Sequence, residues 1–378
     1  MKVMENKCDV IVTYSWNRVG YNILQSLSEA GLKVYVADVS SRNICSYSKF
    51  CAGSFTYPDP FINEDEFIKC LLDKIIILSP KVIIPTHDEG IIISKYRKLF
   101  PKNVIIPISD YKTILTLSNK VSATKLAKQL NVPTPLIYNS LKDVSTWPIV
   151  FKTAIGNSAK GVYFPKNIAE ATKIHNQFAN IETLIQEKVL GVDYSVDCIR
   201  MNNYFFASVY RSKLTKTFEG GTSTQRTIVD NPILVEYSKR ILDAVNYYGV
   251  CGLDFKFNES TNEAYFIEVN ARYTGGLATP IAAGFNIPLL HYQLATIPNY
   301  TPKIKIKVGT STKWILGDII TLVSRIATIQ LSWSDIKSIF NFTGFNRFDD
   351  YRKDDKKAFI GELIYYFNKF IRNFKLNP

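Results

Sequence analysis

Gly252-Leu253-Asp254-Phe255-Lys256-Phe257 and Glu268-Val269-Asn270-Ala271-Arg272 both alternate apolar and polar residues, as half-buried strands do. The polar run Glu259-Ser260-Thr261-Asn262-Glu263 between them reads as a turn, so the pair is predicted to be a β-hairpin. A symmetric register about Thr261 sets Asp254 opposite Glu268, and alternation places Asn270 on the same face as Glu268. Two carboxylates directly across a hairpin repel one another, and a bound cation relieves that repulsion. Oxygen ligands of this kind suit Mg²⁺, which takes few protein carboxylates and completes its shell with water and phosphate. The hairpin is therefore expected to be a platform for a metal and a nucleotide, with Asp254, Glu268 and Asn270 as ligands.

Upstream, Pro148-Ile149-Val150-Phe151-Lys152 is an apolar strand ending in lysine. Burying a bare ammonium is expensive, so Lys152 needs a polar partner, either a nucleotide phosphate or a structural carboxylate. Gly156-Asn157-Ser158-Ala159-Lys160-Gly161 follows as a small polar loop whose N–H groups can cradle phosphate. It lacks the Gly-Lys-Ser/Thr ending of a Walker A loop, and loops of this composition also serve simply as turns. Ser118 to Leu130 reads as a helix capped by Ser118 or Asn119 and broken at Asn131-Val132-Pro133. Thr183–Glu187 and Asp193–Ile199 read as strands, with a helix from about Ile168 to Ala179 ahead of them.

The amino-terminal part opens with a buried-type strand, Val10–Thr13, and an amphipathic helix from about Val19 to Ala30 that Gly31 ends. The strand Lys33–Asp38 follows, giving a βαβ start. Its first loop, Ser15-Trp16-Asn17-Arg18-Val19-Gly20, has no GxGxxG, which leaves a dinucleotide site unsupported and makes scaffold the expected role. Val82–Thr86 is another buried strand, and His87-Asp88-Glu89 stands at its carboxyl end. Loops there bind ligands in open α/β sheets, and Asp88 could equally cap a helix.

The 378 residues suffice for two or three subdomains with real cores. Six cysteines without a CxxC pair argue against a zinc site or a disulfide framework, and a reducing cytoplasm is the expected compartment. Net charge is +13. From Thr301 to Pro378 there are 14 Lys+Arg against 7 Asp+Glu, so about half the excess lies in the last fifth of the chain. A basic region of this kind is either a solvated surface or a contact for an anionic membrane or nucleic acid. No aromatic–basic motif specific for nucleic acid stands out. Trp314–Leu331 is interrupted by Asp318 and Arg325 and is not expected to span a membrane.

Between Ser118 and Pro288 the order of these parts resembles the ATP-grasp superfamily, of the carboxylate–amine ligase type. Asn119-Lys120-Val121-Ser122-Ala123 followed by Val132-Pro133 is similar to the opening helix of biotin carboxylase and of the carbamoyl-phosphate synthase large chain. The resemblance implies an α/β chain in four parts. These are a Rossmann-like pre-ATP-grasp domain at 1–112, a lid subdomain at 113–185, a catalytic subdomain at 186–298 and a basic, mostly helical extension at 299–378. It implies ATP and Mg²⁺ as cofactors, with Mn²⁺ as a substitute. Lys120, Lys152, Gly156, Ser158, Lys160 and Gly161 would hold phosphate. Glu187 and the main chain of Lys188 and Leu190 would recognise the base, and Asp193 the ribose. Asp254, Glu268 and Asn270 fall on the metal ligands, and Arg272 on the arginine that, with Lys152, serves transfer of the phosphoryl group. Asn119 stands where an aspartate is usual, Asp193 where a glutamate is common, and the phosphate loop has two glycines rather than a run.

Arg211, Lys213, Lys216, Gly220-Gly221-Thr222-Ser223 and Arg226 form a basic, glycine- and hydroxyl-bearing segment. It resembles the stretch facing the acyl substrate in such ligases, so Arg211, Gly221, Thr222, Arg226 and Gly275 are the expected substrate contacts. The alternative is a solvated surface hairpin. The activity implied is phosphorylation of a substrate carboxylate by ATP and coupling of the acylphosphate to an amine. A bicarbonate-activating enzyme is one rival, and a nucleotide-gated protein that docks on an anionic surface is another. A small carboxylate and an amine are the expected partners. Homodimerisation, and peripheral membrane contact through the basic carboxyl-terminal region, are compatible with the chain.

Overall fold

The computed structural model describes residues 8–156, 161–217 and 220–376. Its first layer is a four-stranded parallel sheet with strand order Gly53–Thr56, Val34–Asp38, Val10–Thr13, Val82–Pro85. The two central strands, Val10–Thr13 and Val34–Asp38, are almost wholly buried, which is why they read as apolar runs without alternation. Helix Arg18–Glu29 begins where the Asn17 side chain accepts the Val19 and Gly20 N–H groups. It ends at Gly31, whose φ of +87° few other residues tolerate.

The second unit is a four-stranded antiparallel sheet with order Ile137–Tyr138, Thr183–Glu187, Ile149–Thr153, Val162–Tyr163. Helix Ile168–Gln177 packs beneath it around Phe151, Ile185 and Ala171. The helix expected over 118–130 is present as Lys120–Gln129, and a separate short helix precedes it. Tyr111–Ser118 stops, and Asn119 caps a new one, Lys120–Gln129, by accepting the Ser122 N–H at 3.0 Å.

The third unit is a seven-stranded sheet, ordered Glu263–Asn270, Gly249–Asn258, Val192–Met201, Tyr204–Thr217, Gly220–Val229, Ser311–Lys313, Arg347–Phe348. All its neighbours run antiparallel except the last pair. The sheet thus runs past residue 299 into the segment expected to be a helical extension. That segment does carry helices Ile315–Ala327, Trp333–Phe340 and Lys356–Leu376.

One apolar core joins the first sheet to the third. Val12, Ile23, Leu24 and Val36 pack in the same cluster as Ile199, Met201, Tyr273 and Phe285. Polar ties from residues 347–355 reinforce this join. Arg347 donates to Asn22 Oδ1 at 2.9 Å, and the Asp355 carboxylate accepts from Tyr21 at 3.0 Å and Ser48 at 2.5 Å. Asp349 lies between Arg18 of the first helix and Arg226 of the large sheet. Trp16 stacks on Tyr365 of the last helix, centroids 4.9 Å apart. Every one of these groups is too far apart in sequence to be paired by local pattern.

Candidate active site

The hairpin pairs Asp254 with Glu268 and Gly252 with Asn270. Near the turn the pairs are Asn258 with Glu263 and Phe255 with Phe266, and a register shift follows Phe255. Ile267 is the extra residue of this bulge, and it brings Glu268 opposite Asp254. The neighbouring strand completes the face. Ser195 pairs with Asp254, Asp193 with Lys256 and Asp197 with Gly252. Side chains two apart share a face, so Asp193, Ser195, Asp197, Asp254, Glu268 and Asn270 all look the same way.

Each oxygen on this face has a defined environment. Asp254 Oδ1 accepts from Ser195 Oγ at 2.5 Å and Oδ2 from Asn270 Nδ2 at 2.9 Å. Loss of hydration pushes the Asp254 carboxyl up to about 7, and the Glu268 charge adds to the shift. Asp197 Oδ1 accepts from Thr274 Oγ1 at 2.6 Å while Oδ2 is buried without a hydrogen bond, and burial raises this carboxyl to about 6. Asp193 is paired to Lys256 at 2.7 Å. A Cβ on Gly252 would lie 2.0 Å from Thr274 Cγ2, so only glycine lets the Thr274 loop close over the strand.

Helix Lys120–Gln129 and the small sheet supply the positive charge. Lys120 Nζ lies 3.4 Å from Glu268 Oε2 and donates to the Gly156 carbonyl at 2.5 Å. Lys152 is buried. Burial pulls its ammonium down to about 8, Glu268 opposes that shift and Lys120 adds to it. Two lysines from different elements therefore converge on the carboxylate that pairs with Asp254. Gly161 closes the intervening loop at φ +76°, where a Cβ would strike Thr153 Oγ1 at 2.1 Å. Ser158 and Lys160 lie outside the described residues.

At the other side, Arg272 Nε donates to Asp88 Oδ1 at 2.7 Å. Asp88 stands at the start of helix Glu89–Lys95 but makes no capping bond; its carboxylate turns to Arg272 instead. Glu89 takes the polar role in that turn, accepting from Thr13 Oγ1 at 2.7 Å and Thr86 N at 2.9 Å. Tyr273 is fixed by His291, whose Nδ1 is 2.7 Å from the phenol oxygen and whose Nε2 is 2.7 Å from the Pro107 carbonyl. A carbonyl can only accept, so Nε2 carries the proton and Nδ1 accepts from tyrosine.

The expected substrate contacts divide. Arg226 is 1% exposed, and its guanidinium donates to the Gly275 carbonyl at 3.2 Å, to Ser223 O at 2.9 Å and to Asp349. Thr222 is beside Gly275, since a Cβ there would be 3.8 Å from Thr222 Cγ2. Gly221, at φ +89°, lies at the start of the same strand. Arg211 does not join them. It pairs with Tyr194, on the face opposite Ser195, and its guanidinium is held by Glu259 at 2.5 and 3.2 Å. Arg18 takes a place at this end that the sequence did not signal. Its Nε donates to Gly275 O at 3.1 Å, it lies 3.7 Å over the Trp314 ring, and its buried Nη2 has no hydrogen bond.

Of the expected base-binding residues, Glu187 accepts the Leu136 N–H at 2.8 Å, Lys188 sits 5.2 Å over the Phe164 ring, and Leu190 is exposed. Among the described residues no three His, Cys, Asp or Glu side chains form a ready-made metal cage. A carboxylate pair with an adjacent amide fits a cation that brings its other ligands with it.

A family model described as "ATP-grasp in the biosynthetic pathway with Ter operon" matches residues 180–314, which hold Asp193, Asp197, Asp254, Glu268 and Arg272. The chain has the ATP-grasp fold. Biotin carboxylase from Campylobacter jejuni, solved as a β-γ-ATP complex, superposes with a TM-score of 0.65, covering 82% of this chain and 75% of that one at 15% identity. The L-amino acid ligase from Bacillus licheniformis gives 0.63, covering 80% and 78% at 14% identity. N5-carboxyaminoimidazole synthetase from Staphylococcus aureus, complexed with ADP, gives 0.62, covering 81% and 82% at 16% identity. In sequence, the carbamoyl-phosphate synthase of Methanobrevibacter smithii is 19% identical over 246 residues, 56% of this chain and 66% of that protein's length. The fold thus brings Lys152 of the small sheet and Lys120 of the adjoining helix against the acids of the large sheet.

Proposed function

We propose that the protein is an ATP-dependent ligase that activates a substrate carboxylate as an acylphosphate and couples it to an amine. The observation that carries this reading is the approach of Lys120 and Lys152 to Glu268, itself paired with Asp254. Two cations facing paired carboxylates across a crevice are a seat for polyphosphate and a divalent ion. Lys120, Lys152, Gly156 and Gly161 would hold the phosphates, together with Ser158 and Lys160. Glu187, Lys188 and Leu190 would edge the base, and Asp193 would meet the ribose. Asp254, Glu268 and Asn270 would hold Mg²⁺, or Mn²⁺, which when bound neutralises phosphate charge.

In this reading a carboxylate oxygen attacks the γ-phosphorus, the bond to the β-phosphate oxygen breaks, and ADP leaves. The amine nitrogen then attacks the acyl carbon, loses a proton, and phosphate departs with the C–O bond electrons. No protein nucleophile is required. Lys152 and Arg272 hold the transferred group, while Thr222, Gly275 and the Arg226–Arg18 pair behind them shape the acyl end. We assign residues 1–112, 113–185, 186–298 and 299–378 as scaffold, lid, catalytic unit and closing segment.

The test is Mg²⁺-dependent release of ADP and phosphate against a matrix of carboxylic acids and amines. Release that requires one acid–amine pair supports the ligase. Release with bicarbonate alone moves the protein to carboxyphosphate chemistry, in keeping with the carboxylase relatives. ATP binding with no release under any combination overturns the ligase reading.

A further inference from the structure

Helices Ile315–Ala327 and Trp333–Phe340 are built with their polarity reversed. Asp318, Thr321, Arg325 and Asp335 are buried against the large sheet. Gln225 donates to Asp318 at 2.7 Å, Lys313 pairs with Asp318 at 3.0 Å, and Arg325 pairs with Asp335 at 2.5 Å, joining the two helices. The outward face carries Ile319, Val323, Ile326, Ile329, Trp333 and Phe340, all exposed. Ile319, Val323 and Ile326 follow helical spacing, and Trp333 and Phe340 flank exposed Lys337 on one face of the second helix.

The turn between the helices adds a separate signal. Gln330 N donates to Arg325 O at 2.9 Å and Ile329 N to Ile326 O at 3.1 Å, the bonding of a Schellman cap. The left-handed residue of such a cap is ordinarily glycine or asparagine. Here it is Ile329, at φ +55° and 95% exposed. A β-branched residue at positive φ is strained, and the strain serves no internal packing because the side chain stands clear of the protein.

Charge is sorted in the same region. Of the seven acids after Thr301, Asp318, Asp335, Asp349, Asp350, Asp355 and Glu362 are buried. Asp354 is held by Lys49 and Arg352. Lys337, Lys353, Lys356, Lys357 and Lys369 are exposed. Helix Lys356–Leu376 repeats the pattern, with exposed Ile360, Leu363 and Phe367 after Lys356 and Lys357.

We propose that the outward face of the 315–340 helix pair docks on an anionic lipid bilayer, with Ile329 and Trp333 entering the interface. No helix among the described residues is long and apolar enough to cross a bilayer, so the contact is in-plane. Exposed apolar side chains with Lys337 among them, on a face whose acids Asp318 and Asp335 are buried, are the composition of interfacial segments. A second copy fits less well. A two-fold contact sets the same surface against itself, and with Asp318 and Asp335 buried, the face offers no acid to pair with the partner's copy of its exposed lysine.

The experiment is co-sedimentation of the full chain with vesicles of phosphatidylcholine alone and of phosphatidylcholine with one-third phosphatidylglycerol, at low and high salt. The expected result is binding to the anionic vesicles that weakens with salt. Ile329→Asn combined with Trp333→Ser should weaken it about tenfold or more while leaving the melting midpoint and nucleotide binding unchanged. Asparagine is at ease at positive φ, so the variant does not threaten the fold. No binding at low salt overturns the proposal. So does binding that the double variant leaves undiminished, or a dimer, detected by sedimentation, that the same variant dissociates without any lipid binding.

Discussion

Arg272 and Asp88 form a 2.7 Å ion pair between residues 184 positions apart. It ties the carboxyl end of the Val82–Pro85 strand to the loop that leaves the Asp254–Glu268 hairpin. In the proposed reaction Arg272 meets the transferred phosphoryl group, so Asp88 sets its reach. Asp88→Asn is expected to lower kcat by about tenfold to a hundredfold, the scale of an ångström-sized misplacement, while the Kd for ATP changes less than about twofold. Equal losses in both would show that Asp88 supports folding of the site and not the aim of Arg272.

Glu268→Gln should remove Mg²⁺-dependent turnover by at least about a hundredfold. It leaves the strand pairing intact and relieves repulsion with Asp254, so the thermal midpoint should hold. Turnover close to wild type would refute the metal assignment.

Lys152 should make nucleotide binding pH-dependent. Its ammonium stands at about 8 in the empty protein against 10.5 ordinarily. Between those values the folded protein has released a proton that the unfolded chain retains. This group therefore favours the fold increasingly as pH rises through the window. Bound polyphosphate draws the proton back, so ATP affinity should fall above pH 8 by up to about tenfold per unit. Calorimetry in buffers of different ionisation enthalpy should report proton uptake at pH 9, and Lys152→Arg should abolish it.

Burial drives the Glu362 carboxyl well above its ordinary value, with the Asp350 charge adding to the shift, and burial raises Asp350 to about 6, with the Asp349 charge adding; Arg18 opposes both shifts. A raised carboxyl contributes stability that is complete below its unfolded pKa and is lost as pH rises through the folded one. The docked last helix should therefore weaken from about pH 4 upward through pH 6. Glu362→Gln is expected to raise the melting midpoint more at pH 8 than at pH 5, and an equal shift at both would refute the titration.

Gly252→Ala should cost about 1–3 kcal/mol by forcing Thr274 off the strand. Chemical denaturation measures it directly. A neutral result would mean that the Thr274 loop moves freely, and with it the Asp197 contact.

Much of the hairpin was legible because alternation is a local property. The Asp254–Glu268 pairing follows from symmetry about Thr261, yet the pairs at the turn are centred one half-residue earlier, and a bulge at Ile267 makes up the difference. Asp197 and Ser195 had the same period-two signal in Asp193–Asp197 and were passed over. Composition does not say which face of its strand Arg211 takes; its pairing with Tyr194 puts it on the face opposite Ser195. The contact of Arg18 with Gly275 left no trace across 257 residues, and Asp88, conspicuous at its strand end, gave no sign of Arg272 as its partner 184 residues away. The reversed helices could not be recognised from a hydrophobic stripe, because a stripe does not say which side meets the sheet.

The contact between Lys120 and Glu268 gives the empty crevice an internal counter-ion. In the proposed reading, a free divalent ion arriving alone must compete with the Lys120 ammonium for Glu268. A polyphosphate arriving first draws that ammonium away and uncovers the carboxylate in the same movement. By thermodynamic reciprocity the ion would then strengthen nucleotide capture by the same factor, so metal and nucleotide would enter as heterotropic partners, and until then Lys120 shields Glu268 from stray cations.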